Sequence, residues 1–375
     1  MKQTLIVSPE KGGHCPFYLS LLAESFTAAG CRILADSSCV ENQVHLNRRN
    51  IIKDDFEFIK PTGHSTKDLL QQIRELVVQY KFDTVFFAYF DAHIEALLRC
   101  DQAIGCSISG IWFHPYALDK KYRWLPPFDK RLRTRRKIHK GLKDSLNTQE
   151  IKHLFFLDEL SPSALKAINQ KITSCVLVDP GEQPPKLNTL DARNHFALPK
   201  ERTVFLHAGS SEPRKGFPDV LKAFHQLSKD PAIKDKALLL RVGDNSRLAD
   251  KDRKTLGYLI EKGLAYSTDE CVPHADFIEY FSAADWVIIP YRKFRYSSGI
   301  FANAITSNTP VIASNYGLIG RYASQLKNGD VYTHKSWKSL ERAVRRHVDD
   351  RRSCRHADSK NHSKSLFIEQ IRATG

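Results

Sequence analysis

The chain reads as α/β, with two domains that each pair a mostly parallel sheet with helices on both faces. Three observations predict this. Its 375 residues exceed what one ordinary core accommodates. Short apolar runs of strand length alternate with longer stretches whose apolar residues recur at helical spacing. The alternation also breaks at a polar, proline-rich stretch, Asp179-Pro180-Gly181-Glu182-Gln183-Pro184-Pro185, and then restarts. Alternating strands and helices build parallel sheets buried on both faces. The expected boundaries are a first domain over 1–180 and a second over 190–355, with a last segment, 360–375, that can pack back on the first.

In the first half, Leu5-Ile6-Val7 is a strand, and Leu19, Leu22 and Phe26 form one helical stripe closed by Gly30. Residues 32–34 are a strand. Ser65 caps a helix carrying Leu69, Leu70, Ile73, Leu76 and Val77 on one side. Strands at 84–89 and 111–113 flank a helix at 92–98. Strands at 153–157 and 175–178 flank a helix opened by Ser161-Pro162. In the second half, strands fall at 203–207, 238–242, 286–289 and 311–313, and helices begin near Pro218, Ala275, Ser297 and Trp337. Residues 363–373 form a weaker helix. The result is two Rossmann-like domains facing a central cleft. In such sheets ligands bind beyond the carboxyl ends of strands, at the topological switch point. That rule selects the loops after Val7, Tyr89, Phe113, His207, Val242 and Pro290.

Composition narrows the function. With 42% hydrophobic and 26% charged residues the chain is a soluble globular type. No apolar run reaches the roughly 20 residues that span a bilayer, and the apolar start is too short for a signal peptide. The eight cysteines are scattered without a CxxC pair, which points to reduced thiols in a cytoplasmic protein. The net charge of +15 calls for an anionic partner. Much of it is local: Lys130, Arg131, Arg133, Arg135, Arg136, Lys137, Lys140 and Lys143 crowd together after Trp124, Leu125 and Phe128. Residues 121–143 are therefore a candidate for peripheral contact with an anionic membrane surface, against the plainer reading of a solvated helical face. No aromatic RNA-binding signature accompanies them, which disfavours nucleic acid.

Two turns carry the chemistry. After the strand at 286–289, Ser297-Ser298-Gly299 opens a helix, where free N–H groups and the helix dipole favour an anion. After the strand at 203–207 comes Gly209-Ser210-Ser211-Glu212-Pro213-Arg214-Lys215-Gly216, in which Lys215 can reach a β-phosphate. Together they predict a diphosphate site. The second turn lacks the Gly-Lys-Ser/Thr ending of a P-loop, which disfavours ATP hydrolysis. The loop Lys11-Gly12-Gly13-His14 allows close backbone approach to a phosphate or sugar, but it is not GxGxxG, so no nicotinamide or flavin is expected. His114, Asp91 and His93 stand in strand-end loops of the first half, as candidates for acid–base work or as plain structural hydrogen bonders. Asp250-Lys251-Asp252 reads as a solvated helix start.

Over residues 203–331 the chain resembles the GT-B fold glycosyltransferases of the large retaining group that includes sucrose synthases and bacterial mannosyl- and glucosyltransferases. The resemblance rests on Phe205-Leu206-His207-Ala208-Gly209, Arg214-Lys215-Gly216-Phe217, Ala223-Phe224 and Val242-Gly243. It continues through His274-Ala275-Asp276, Tyr280-Phe281, Ala284-Asp285, Ile289-Pro290-Tyr291, Ser297-Ser298-Gly299, Ala304, Pro310-Val311-Ile312-Ala313 and Gly317. It implies a metal-independent, retaining hexosyltransferase without a cofactor. Such an enzyme takes a nucleotide diphosphate sugar as donor and a glycan or lipid-linked acceptor, as in polysaccharide biosynthesis.

The same resemblance implies that Lys215 and Arg214, with His114 and Asp91 from the first half, are catalytic. It implies that Gly12, Gly13, Gly209, Ser210, Arg295, Ser297, Ser298, Gly299 and Asn303 hold the donor. The sequence departs from the family pattern at three of these places. Ser210 stands where an Arg is usual after the turn glycine, and Arg295 and Asn303 stand where two glutamates are usual. Arg292, Arg295 or Arg214 can supply the missing cation. A catalytically degenerate protein that binds a sugar nucleotide or glycan, and a nucleotide-sugar epimerase of the same fold, are the alternatives.

Overall fold

The computed structural model describes residues 3–9, 15–26, 30–35, 57–63, 65–119, 129–144, 150–182, 188–269, 272, 274–293, 295–327, 329–350 and 363–373. The chain divides into two compact units, Met1–Val178 with Ser365–Gly375, and Asp179–Lys364.

The first unit is built on β1 (Thr4–Ser8), β2 (Cys31–Ala35), β3 (Glu57–Ile59), β4 (Thr84–Phe87), β5 (Ser107–Trp112), β6 (Ile151–Phe156) and β7 (Thr173–Val176). They form one parallel sheet in the order β3-β2-β1-β4-β5-β6-β7. Leu5, Ile6 and Val7 of β1 are fully buried, as a continuous apolar run requires in a sheet covered on both faces. The helix Thr66–Tyr80 starts at a reciprocal cap: Ser65 Oγ accepts from Asp68 N–H, and the Asp68 carboxylate accepts from Ser65 N–H. Its buried side is the stripe that the periodicity selects. The helix Lys364–Arg372 is counted with this unit. Arg372 donates to the Glu24 carbonyl at 2.6 Å, and Gln370 accepts from Val178 N–H at 3.0 Å.

The second unit contains β8 (Thr203–Ala208), β9 (Ala237–Val242), β10 (Ala265–Ser267), β11 (Trp286–Ile289), β12 (Val311–Ser314) and β13 (Gly329–Tyr332). Their order is β10-β9-β8-β11-β12-β13, again parallel. The chain fills the sheet on one side of β8 and then returns to place β11 on the other. The switch point therefore lies between the carboxyl ends of β8 and β11, where both selected turns begin.

Local differences from the sequence reading have simple causes. The strands β3, β10 and β13 carry partly exposed edge residues, so they lack the apolar run that marks a central strand. The helix expected at 92–98 is a 3-10 turn, Phe90–Ala92, followed by one helical turn, Ile94–Leu97. The basic stretch is a helix, Lys130–Asp144, whose Leu132, Ile138 and Leu142 are buried in the protein. Its apolar side is thus already covered, and its exposed side carries the cations. Trp124, Leu125 and Phe128 lie outside the described residues. Among the described residues Cys31, Cys100, Cys106 and Cys175 are free thiols. No described helix is long and apolar enough to cross a membrane.

Candidate active site

Backbone contacts bring the two turns together. Pro213–Lys215 forms a 3-10 turn that closes at Gly216, whose φ is +73°. A Cβ on Gly216 would stand 1.8 Å from the Pro290 carbonyl oxygen, so only glycine lets the first turn lie against the end of β11. Arg292 N–H donates to the Arg214 carbonyl at 2.8 Å and fastens the same two segments.

The side chains meet as a consequence. Lys215 Nζ donates to the Tyr291 hydroxyl at 2.7 Å, and the Tyr291 and Ser298 hydroxyls share a hydrogen bond at 3.1 Å. Ser298 precedes the helix Gly299–Thr306 in extended backbone and makes no side-chain cap to it. An ammonium and an uncapped helix N-terminus are therefore joined through one tyrosine. Gly209 flanks the ammonium: a Cβ there would lie 3.2 Å from Lys215 Nζ.

A second cation lies beneath. Arg241, in β9, is fully buried. Its Nη1 donates to the carbonyls of Gly209 at 2.6 Å and Val242 at 2.8 Å, Nη2 to Asp244 at 3.0 Å, and Nε to Asn245 Oδ1 at 3.0 Å. Burial pulls its pKa down to about 10, against the neighbouring charges of Asp244 and Asp269, so it is charged at neutral pH. His207 is buried and stacked on Phe217 at 4.6 Å. Burial, then the charges of Arg241 and Lys215, keep its pKa well below the usual histidine range. The imidazole is neutral and adds no third charge.

Lys215, Gly209, Ser298 and Gly299 thus converge. Arg214 is turned toward Glu212, its Nε 2.7 Å from Oε2. Ser210 Oγ lies 3.4 Å from the same carboxylate. Arg292 forms a two-pronged pair with the buried carboxylate of Asp219. The Arg295 guanidinium lies over the Tyr316 ring, 5.5 Å from its centroid. Ser297 donates to the Asp179 carboxylate, and Asn303 Oδ1 accepts from Glu182 N–H at 2.9 Å. These two side chains fasten the segment after Val178 to the helix Gly299–Thr306. Gly12 and Gly13 lie outside the described residues.

In the first unit Asp91 and His114 are adjacent. The two oxygens of Asp91 accept from Phe113 N–H at 2.9 Å and His114 N–H at 2.7 Å. His114 Nδ1 lies 3.3 Å from the Tyr89 hydroxyl and 3.5 Å from Asp91 Oδ1. Asp91 thus shapes the loop after β5, and His114 keeps a part-exposed ring beside it.

Two participants escape the sequence reading, Tyr291 and Arg241. A single charge inside Leu238-Leu239-Leu240-Arg241-Val242 is the signal that could have found the second. Tyr291 is marked only within Ile289-Pro290-Tyr291 of the resemblance, not as a site residue. Among the described residues one group, His195, Asp276 and Glu279, has potential metal-ligand atoms within 4.8 Å of one another. It stands on the helices Thr189–His195 and His274–Ala283, and His195 Nδ1 lies 2.9 Å from Glu279 Oε2. Asp250 and Asp252 sit in the first turn of the helix Asp250–Glu261.

Two parallel α/β sheets of seven and six strands place the chain in the GT-B fold class. Sucrose-phosphate synthase from Thermosynechococcus elongatus is 16% identical and superimposes with a TM-score of 0.66, over 100% of this chain and 95% of that one. HepE of Anabaena, solved in complex with UDP-glucose, is 13% identical with a TM-score of 0.62, over 100% and 94%. WaaG, a glycosyltransferase involved in lipopolysaccharide biosynthesis, is 15% identical with a TM-score of 0.62, over 99% and 94%. No curated protein sequence matches. Residues 189–364, within the second unit, match the family described as Glycosyl transferases group 1.

Proposed function

We propose that this protein transfers a hexose from a nucleotide diphosphate sugar to a glycan or lipid-linked acceptor, with retention at the anomeric carbon and without a metal. The observation that carries the reading is the chain Lys215–Tyr291–Ser298, which sets an ammonium beside an uncapped helix N-terminus. Breaking the bond between sugar and diphosphate leaves negative charge on the β-phosphate. Lys215 and the N–H groups at Gly299 stabilise that charge as it grows, already oriented before the bond breaks. Lys215 exchanges its tyrosine partner for phosphate oxygen. Arg214 adds a cation at the rim, and Asn303 and Ser297 act by fixing the helix that receives the diphosphate. In the first unit Asp91 holds the loop that carries His114, our candidate for acid–base work.

Thermal-shift screening against UDP-, GDP- and ADP-sugars identifies the donor, because ligand affinity appears as added stability. UDP-glucose is the first to try, given the complex of HepE. We expect Lys215→Ala to weaken nucleoside diphosphate binding roughly 100-fold, as loss of a desolvated charge contact does. Unchanged affinity by calorimetry removes the site assignment. Transfer that stops in EDTA, or a product of inverted anomeric configuration by NMR, corrects the mechanism. Donor binding with neither transfer nor hydrolysis indicates the degenerate reading.

The exposed cations of the helix Lys130–Asp144 fit an anionic membrane surface by electrostatics alone, since its apolar side is buried. Changing Arg133, Arg136, Lys137 and Lys140 to Glu should release the protein from anionic vesicles at low salt. Equal binding by the variant dismisses that contact.

A further inference from the structure

Arg241 is an expensive residue to bury. Taking a guanidinium out of water costs several kcal/mol, and a well-packed apolar side chain at such a place is often no less stable. Its partners are mostly main-chain carbonyls. Among the described residues none of its hydrogen-bond acceptors is a carboxylate. Stability alone does not account for it, but its position does.

Gly209 is the point of contact. Its carbonyl accepts from Arg241 Nη1 at 2.6 Å and packs against Gly243, where a Cβ would stand 2.5 Å from that oxygen. Both observations fix the carbonyl toward the end of β9. In a planar trans peptide the C=O and the next residue's N–H point in opposite directions. The Ser210 N–H therefore points away from Arg241. It has no hydrogen-bond partner among the described residues, whereas the N–H groups on either side bond to Val242 and Asp244 carbonyls. Lys215 Nζ flanks the same turn, 3.2 Å from where a Gly209 side chain would begin.

We propose that Arg241 is a positioning residue of the diphosphate site: it holds the Gly209 carbonyl inward, so that the Ser210 N–H is presented as an anion donor beside Lys215. Its charge, which no carboxylate meets by a direct hydrogen bond among the described residues, also adds to the positive potential at that turn, in a setting little screened by solvent. The inference rests on the donor-site reading above and extends it to a donor and a cation that touch the ligand only through the backbone.

The test uses the full chain with inorganic pyrophosphate as probe. Calorimetry compares wild type, Arg241→Gln, which removes the charge, and Arg241→Lys, which keeps it without the fork. We expect a 10- to 100-fold loss of pyrophosphate affinity in the first and a smaller loss in the second. In wild-type protein labelled with 15N-serine, the Ser210 amide proton should move downfield on saturation with pyrophosphate, a response that a purely structural arginine does not predict. A Ser210 amide that stays put at saturation, or pyrophosphate affinities of folded variants within twofold of wild type, overturns the proposal. Should Arg241→Gln fail to fold, Arg241→Lys and the wild-type amide shift decide. If Lys215→Ala abolishes binding and the Arg241 variants do not, only this inference falls. If wild type binds neither pyrophosphate nor any nucleoside diphosphate, the donor site falls with it.

Discussion

Among the described residues two arginines are buried in the second unit, and they use their charge differently. Arg193 donates to the carbonyls of Ala283, Lys200 and Arg202, and it is neutralised by the buried carboxylate of Asp285, which also accepts from Val204 N–H at 2.7 Å. Arg241 makes a similar set of carbonyl contacts but gains no carboxylate among its hydrogen bonds. The first closes on itself and joins the helix Thr189–His195 to the starts of β8 and β11. The second leaves its charge in force at their carboxyl ends, where an anion is expected. The arginine hydrogen-bonded to a carboxylate holds the architecture, and the one hydrogen-bonded to turn carbonyls stands at the site.

The comparison can be broken at several points. The largest effect should come from Arg193→Ala, which removes the guanidinium that neutralises the buried Asp285 carboxylate. We expect a loss on the order of 3–5 kcal/mol in urea unfolding, with pyrophosphate affinity of the folded protein unchanged. A weakened affinity would erase the distinction between the two arginines. Gly216→Ala comes next. It forces a left-handed backbone on a side chain and drives a methyl into the Pro290 carbonyl, for roughly 2–4 kcal/mol. Unlike Arg193→Ala, it should also weaken nucleotide binding, because it separates the turns. Retained affinity would show that the close approach at Pro290 does not assemble the site.

The smallest effect sharpens the electrostatic side. His207 is kept neutral in the fold by burial and by Arg241 and Lys215. A folded pKa below the unfolded value means that the unfolded chain takes up the proton first as pH falls. Stability from this group is therefore whole above about pH 6.5 and declines below it, by at most about 1.4 kcal/mol per pH unit. His139 and His334, also lowered by burial, contribute in the same direction. Replacing His207 by Phe keeps the stack on Phe217 and should flatten the slope of unfolding free energy between pH 6.5 and 5. An unaltered slope would mean that His207 is protonated in the folded protein.

Much of the fold is legible in the residues. The runs at Leu5-Ile6-Val7 and Trp286-Val287-Ile288-Ile289 are too apolar for anything but central strands, and Ser65 announces its helix. Edge strands such as Glu57–Ile59 are not legible, because half their surface faces water and their composition matches a loop. Of the site, Lys215 and Ser298 stand out by chemistry: a lysine in a glycine-flanked turn and a hydroxyl before a helix. Their meeting does not stand out. Arg292, a plausible free cation in sequence, is committed to Asp219, which lies 73 positions away.

Alternation of strand and helix, the two loops chosen for an anion and the excess of positive charge are all written locally, in the spacing and type of neighbouring residues. Which residues bridge those loops was decided only when β8 and β11 came to lie side by side. Tyr291 reaches Lys215 across 76 positions, and Arg241 reaches Gly209 across 32. Contacts of that span depend on sheet order and on a glycine narrow enough to admit a carbonyl, and no local pattern encodes either one.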